Sequence, residues 1–409
     1  MPAEPRVIDR IPLAEPTIGG NAAGYLQECL ATNFVSSVGP FVERFETAFA
    51  SAVGSRHAIA CSSGTAAIHL ALLALDVGPG DEVWTSTLTF VASANAISYA
   101  GAQPVLVDSE DETYNLDPAI VVDELDRRAR AGLPLPAAIE VVHLVGHPAQ
   151  LEPILEAAAR HGVPIVEDAS EALGARYSPS APASLAGRHV GTIGRLGAFS
   201  FNGNKIITTG GGGMVVTDDE RLARRVRHLS TQARLPGRAY DHDEVGYNYR
   251  LSNLASALGL AQLEQLPDLL AARRRVAARY DEAIGGIQAL LPAPRRSWAE
   301  PSFWLYSARL AEPDIRRRDE VLDALLADGI EGRPMWTPLH QTRLLADVPR
   351  LGREVADRIF DGAISLPSSS SLRPESQERV IESLRAAVGR EPSAPAAAGT
   401  AGARGPASR

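Results

Sequence analysis

Apolar positions change spacing repeatedly along the first two-thirds of the chain. Short runs rich in β-branched and apolar residues, HAIACSSG, DEVWTSTLTF, QPVLVDSE, AAIEVVHLVG and VPIVEDAS, read as strands. Between them TAAIHLALLAL (Thr65–Leu75), VASANAISYAG and ILEAAARHG have helical character. This alternation predicts a mostly parallel α/β sheet with helices on both faces. Further on, Ser252–Ile284 reads as a long helical stretch broken at Pro267. It leads into a second region in which SFWLYSARL is a strand and RRDEVLDALLADG a helix. A chain of 409 residues exceeds what one core serves. The expectation is a large domain over residues 1–265 and a smaller C-terminal α+β domain over 266–390. From Glu391 the chain is Ala, Pro, Gly and Ser with little else, so 391–409 is expected to be a disordered tail.

The composition, 45% hydrophobic and 22% charged, is globular. A net charge of −9 argues against broad attraction to nucleic acid or an anionic membrane. An anionic ligand therefore needs a local site. No run of about 18 apolar residues is present, so no spanning helix is expected. The opening MPAEPRVIDR lacks the apolar core of a signal peptide. Cys29 and Cys61 lie far apart and form no CxxC pair, which points to a reducing cytoplasm.

Candidate chemistry begins with AFSFNGNKIITTGGGGMVVTDD, where Lys205 sits between an apolar strand and four consecutive glycines. A buried lysine needs a partner or a reaction, and four glycines cost entropy on ordering. By itself this reads first as a surface lysine beside a Gly-rich turn. Upstream, CSSGTAAIHLAL opens a helix at Gly64 and Thr65, where first-turn amides and a hydroxyl suit a phosphate or form a simple cap. Asp168 ends the strand VPIVED, at the sheet edge where α/β proteins bind ligands, and equally suits a helix cap. Asn248 precedes a helical stretch in GYNYRLSN, as an Asx-turn residue or a polar contact. Together these sites describe one chemistry. Pyridoxal 5'-phosphate needs a lysine, an acid beside its ring nitrogen, a phosphate cup and an aromatic face, for which Phe90 in STLTFVA is suited.

The order of FVSSVGPFVERFE, SSGTAAIHLAL, LTFVASANAISYAGAQPVLVD, VEDASEALGA, SFNGNKIITTGGGGM, GYNYRLSNLASALGLAQL and GRPMWTPLH resembles the DegT-type sugar aminotransferases, fold-type I pyridoxal phosphate enzymes. The resemblance runs from about Ile11 to Arg390. It implies that Lys205 holds the cofactor covalently and that Asp168 pairs with its ring nitrogen. It further implies that Gly64, Thr65 and Ser200 hold the phosphate, that Phe90 stacks on the ring and that Glu171 contacts the phenolic oxygen. Asn248 would reach the cofactor of the neighbouring subunit, making a homodimer with shared active sites. Relatives with histidine at the lysine position act as dehydratases, so Lys205 favours transamination. The implied substrates are L-glutamate as donor and a nucleotide-linked 4-keto-6-deoxy sugar as acceptor. UDP-4-keto-6-deoxy-N-acetylglucosamine, aminated at C4, is the first expectation. A GDP-perosamine synthase-like activity is the alternative, and a non-catalytic regulator that binds cofactor or sugar nucleotide is a third. Trp304, Arg333, Trp336 and His340 fall in motifs that line the sugar-nucleotide side in relatives. Against that, Trp304 and Trp336 also suit a core, and Arg333 suits an ion pair with Glu331. TPLH, with Thr337, departs from the more usual KPMH.

Overall fold

The computed structural model describes residues 10–352 and 354–390. The expected tail, 391–409, lies outside the described residues. Among the described residues there are fourteen strands, β1 (His57–Cys61), β2 (Glu82–Ser86), β3 (Gln103–Val107), β4 (Ala138–Val142), β5 (Ile165–Asp168), β6 (Arg176–Tyr177), β7 (Leu196–Ser200), β8 (Gly213–Thr217), β9 (Leu290–Leu291), β10 (Ala299–Glu300), β11 (Tyr306–Leu310), β12 (Arg333–Pro334), β13 (Arg350–Leu351) and β14 (Ala363–Leu366). Eight of them form the large sheet in the order β1-β8-β7-β5-β4-β2-β3-β13. Only β8 runs against its neighbours β1 and β7, and the other pairings are parallel.

The central strands are buried on both faces, as β4 and β5 are at every position. That is why they read as near-continuous apolar runs rather than as alternating ones. Ile139 and Val141 face one core with Phe45, Phe49 and Phe199. Ala138, Val166 and Val83 face another, against the helix Gly64–Ala74. This helix is buried on almost every side, and Ser63 caps it by accepting from the Ala66 amide at 3.0 Å. Cys29 and Cys61 are both buried free thiols.

The long helical stretch is two helices, Asn253–Glu264 and Leu266–Ile284, with Pro267 in the first turn of the second. Proline is tolerated there because that amide has no intrahelical acceptor. A second sheet, in the order β12-β14-β11-β9, packs its core with Tyr280, Tyr306, Val321 and Leu384. The strand read in SFWLYSARL begins only at Tyr306, because Phe303 takes a left-handed conformation (φ 53°) and turns the chain before it. Two pairings tie the chain's distant parts together. Ile11 bridges Ile330, and β13 adds to the edge of the large sheet beside β3.

Candidate active site

The carboxyl ends of β5 and β7 bring Asp168 and Ser200 to the same edge of the sheet. After Ser200 the chain turns through a loop pinned by the Phe201 amide to Gly212 O (2.9 Å) and the Thr209 amide to Phe201 O (3.0 Å). Lys205 lies in that loop. The glycine run has a steric cause at its end, since a Cβ on Gly213 would overlap the carbonyl of Ser63. Glycine thus lets β8 pass directly beside the start of the Gly64–Ala74 helix.

Asp168 is buried. Its Oδ2 accepts from Ser93 Oγ at 2.9 Å and its Oδ1 from the Ser170 amide at 3.0 Å. The Lys205 ammonium lies 3.9 Å from Glu171 Oε1 and 3.8 Å from the centroid of the Trp304 ring. Burial pushes the Lys205 pKa down, against the pull of Glu171 and Asp168. Burial also pushes Glu171 up, against Lys205 and the Val145 amide. That amide donates to Glu171 Oε2 at 2.7 Å, and Trp336 Nε1 donates to Oε1 at 3.2 Å. Val145 holds its amide there from a left-handed conformation (φ 47°), unusual for a β-branched residue.

These groups surround one cavity of about 320 Å³. Gly64, Thr65, Phe90, Asp168, Glu171, Ser200, Lys205, Trp304 and Trp336, all expected from the sequence, line it. Phe90 is half-exposed at the cavity, with its ring 5.0 Å from that of Trp336. A larger cleft of about 610 Å³, between Glu46 and Arg227, gathers none of them.

The cavity fits pyridoxal phosphate on two observations. Ser170 Oγ is buried with no hydrogen-bond partner among the described residues, beside the first turn of the Gly64–Ala74 helix. A Cβ on Gly64 would lie 2.7 Å from Ser200 Cβ and 3.1 Å from that same Ser170 hydroxyl, so glycine keeps a cup open. Helix geometry leaves the first amides there without intrahelical acceptors, which suits an anion. Asp168, Lys205 and Phe90 line the same cavity and bring to it a carboxylate, an amine and an aromatic ring.

Three expected residues lie elsewhere. Asn248 bridges Thr231 and lines a separate cleft with Arg250. Arg333, on β12, is exposed and donates to Glu331 Oε1 at 2.9 Å, which is the ion pair weighed from the sequence. His340 shares a 2.7 Å hydrogen bond between Nδ1 and Thr87 Oγ1, and its Nε2 lies 3.0 Å from Asp357. It ties the Trp336 segment to the end of β2. Sequence reasoning missed Ser170, Ser93, Asn204 and Val145. Ser170 had a signal, standing two residues after Asp168, whereas the others act through long-range contacts.

An α/β sheet with these groups gathered at its carboxyl edge is the architecture of fold-type I pyridoxal phosphate aminotransferases. The chain belongs to the DegT/DnrJ/EryC1/StrS aminotransferase family, whose profile matches residues 16–385. It is 41% identical over 378 residues to the GDP-perosamine synthase of Caulobacter vibrioides, covering 92% of this chain and 98% of that protein. It is 37% identical over 376 residues to the GDP-perosamine synthase of Escherichia coli O157:H7, covering 91% and 97%. Among solved structures, a DegT DnrJ EryC1 StrS aminotransferase from Brucella abortus superposes with a TM-score of 0.83 at 28% identity, over 90% of this chain and 96% of that one. The protein is a sugar aminotransferase, and its cofactor is pyridoxal phosphate. Nucleotide sugar and amino donor are its substrate classes. Among the described residues no helix is long and apolar enough to cross a membrane.

Proposed function

We propose that the enzyme aminates C4 of a GDP-linked 4-keto-6-deoxy sugar, as a perosamine synthase does, with L-glutamate as donor. The observation that carries the amino-transfer chemistry is the part-buried Lys205 held between Glu171, Trp304 and the Asp168 edge. The choice of GDP rests on the relatives, since proteins 41% and 37% identical over nearly the whole chain are named GDP-perosamine synthases. This reading takes the place of the UDP-linked N-acetylglucosamine derivative as the leading one.

When bound, pyridoxal phosphate supplies an electron sink for charge developing at the donor's α-carbon. Asp168 holds the proton on the ring nitrogen, fixed in place by Ser93 and the Ser170 amide. Gly64, Thr65, Ser170 and Ser200 seat the phosphate, and Phe90 covers the ring. Lys205, whose burial loosens its hold on a proton, moves the α-proton. Glu171 is oriented for the phenolic oxygen by Val145 and Trp336. Trp336 faces the sugar nucleotide, and His340, outside the cavity, holds its segment through Thr87. In this reading Arg333 reaches the nucleotide only by leaving Glu331, and Arg333→Ala then raises KM for the sugar nucleotide without slowing the glutamate half-reaction.

In the proposed homodimer, Asn248 serves the partner's cofactor, in keeping with its place outside the cavity of its own chain. Exposed Phe34, Val35 and Val38 provide apolar surface for such an interface. Mixed protomers carrying Lys205→Ala and Asn248→Ala should regain activity through one intact site per heterodimer. No recovery after confirmed subunit exchange removes Asn248 from that role. The acceptor is tested by offering GDP-, UDP- and dTDP-4-keto-6-deoxy sugars with L-glutamate and following product mass. Preferential amination of the GDP sugar is expected. Preference for the UDP-linked N-acetyl sugar would return the reading to the other branch of the family.

A further inference from the structure

Trp304 is held more firmly than a packing residue requires. It is 1% exposed, and its indole Nε1 donates to the carbonyl of Asn204 at 2.7 Å, one residue before the reactive lysine. Its own carbonyl accepts from Arg273 Nη1 at 2.8 Å, and the same nitrogen donates to Ser368 O at 2.8 Å. The Arg273 guanidinium is itself buried, and burial pushes its pKa down to about 10, so this clamp is a costly one. Phe303, immediately before, sits in the left-handed region at φ 53°, which a bulky aromatic residue rarely adopts. On another side Gly146 presses in, since a Cβ there would lie 3.0 Å from the Trp304 amide nitrogen. Backbone strain, a buried cation and a close backbone approach fix the Trp304 main chain, while the Nε1 bond to Asn204 and the near-parallel Trp336 ring, 6.3 Å away, fix the plane of the indole.

The group facing that ring is the Lys205 ammonium, 3.8 Å from its centroid. The charged groups acting on the amine are Glu171, at 3.9 Å, and Asp168, both of which attract it. An indole face attracts an ammonium through its quadrupole, more strongly where water is excluded. A third carboxylate in the same place would hold the proton on the amine. A neutral π face orients the amine and still lets it release that proton.

We propose that Trp304 is a positioning residue for Lys205, its indole face holding the lysine amine whenever that amine is not bonded to the cofactor. This rests on Lys205 being the cofactor lysine, and it assigns Trp304 a task other than lining the sugar-nucleotide side. The two ideas are separated first. Borohydride reduction of the holoenzyme followed by peptide mapping locates the covalent link, and a link elsewhere than Lys205 overturns the functional reading whatever Trp304 does.

The test then replaces Trp304 alone with mono-, di- and trifluorinated tryptophan. Fluorine withdraws charge from the ring face while leaving its shape and indole N–H, so folding and the Asn204 contact are retained. In enzyme loaded with pyridoxamine phosphate, where Lys205 is free, the pH midpoint for acetylation of Lys205 is read by mass spectrometry. The midpoint should fall stepwise with each fluorine, because the ammonium loses attraction. In parallel the glutamate half-reaction should slow by roughly tenfold across the series, and its α-deuterium isotope effect should rise as proton transfer becomes limiting. KM for the keto sugar should stay flat. A flat acetylation series, or a rise in KM with no change in isotope effect, overturns the proposal.

Discussion

Replacing Asp168 with asparagine isolates one charge in an otherwise retained site. The carboxylate is 5% exposed and has two donors, Ser93 Oγ at Oδ2 and the Ser170 amide at Oδ1. An amide placed with its oxygen toward Ser170 keeps that bond. Its nitrogen then faces the Ser93 hydroxyl, which can rotate to accept. The expected loss of stability is therefore only about 1 kcal/mol. The catalytic cost is larger, because a neutral amide does not hold a proton on the ring nitrogen as a carboxylate does. Losing one such preorganised charge raises the barrier by about 3 kcal/mol, roughly a hundredfold in rate. Stopped-flow absorbance of the bound cofactor on mixing with L-glutamate measures that step alone, and a melting curve measures the fold. An unchanged rate would refute the assignment, and the structure names the residue to examine next. Glu140 is on β4 opposite Val166, two residues before Asp168 along β5, so the two carboxyls share a face of the sheet. Both Glu140 oxygens are buried without a hydrogen-bond partner among the described residues. Burial, with the charge of Asp168 adding to it, raises its pKa well above the ordinary range. Neutralising Asp168 removes that added repulsion. If Glu140 then substitutes for it, the rate of the Asp168→Asn variant should collapse on adding Glu140→Gln.

Lys205→Arg should abolish transamination while leaving the fold intact, because a guanidinium keeps the charge but not the reactive amine. The check is turnover beside circular dichroism, and wild-type turnover removes Lys205 from its role. Gly197→Ala should destabilise by more than about 2 kcal/mol, since its Cβ would overlap the Gly191 carbonyl across a packed backbone contact, and denaturant midpoints will show it. Glu124 accepts from Arg127 at 2.6 and 2.7 Å and from Arg128 at 2.9 Å, and these contacts lower its pKa to about 2. Its folded pKa is depressed, so its contribution is full above the ordinary value of 4.5 and is lost as pH falls toward 2. Glu124→Gln should flatten that part of the stability-against-pH curve.

Strands β1 to β5 were legible because each buries both faces and so appears as a compact apolar run between turn residues. The reversal of β8 was not legible. GMVVT looks like any other buried strand, and its direction follows from where the loop carrying Lys205 returns it, between β1 and β7. At the site, Gly64, Asp168 and Lys205 were legible only in combination, since each lies in a local motif that permits the chemistry and equally permits a cap or a turn. Val145 and Arg273 were not legible, since one acts through a strained backbone amide and the other through the carbonyl of a residue 31 positions away. Arg333 shows the opposite case. Its neighbour Glu331 was visible in the sequence as a competing partner, and the structure pairs the two at 2.9 Å.

The late strand β13 has a consequence for how the polypeptide comes into being. Arg350 pairs with Leu106, so the edge of the principal sheet is covered only by residues made far later in translation. A nascent chain emerging from the ribosome must carry the rim of β3 uncovered while most of the remaining sequence is synthesised. Closing so long a loop is slow, and an open strand rim invites pairing with other chains in the meantime. A fragment cut after residue 265 would keep that rim bare permanently. Expressed by itself it should precipitate or recruit chaperones, and supplying residues 266–390 in trans should restore its solubility.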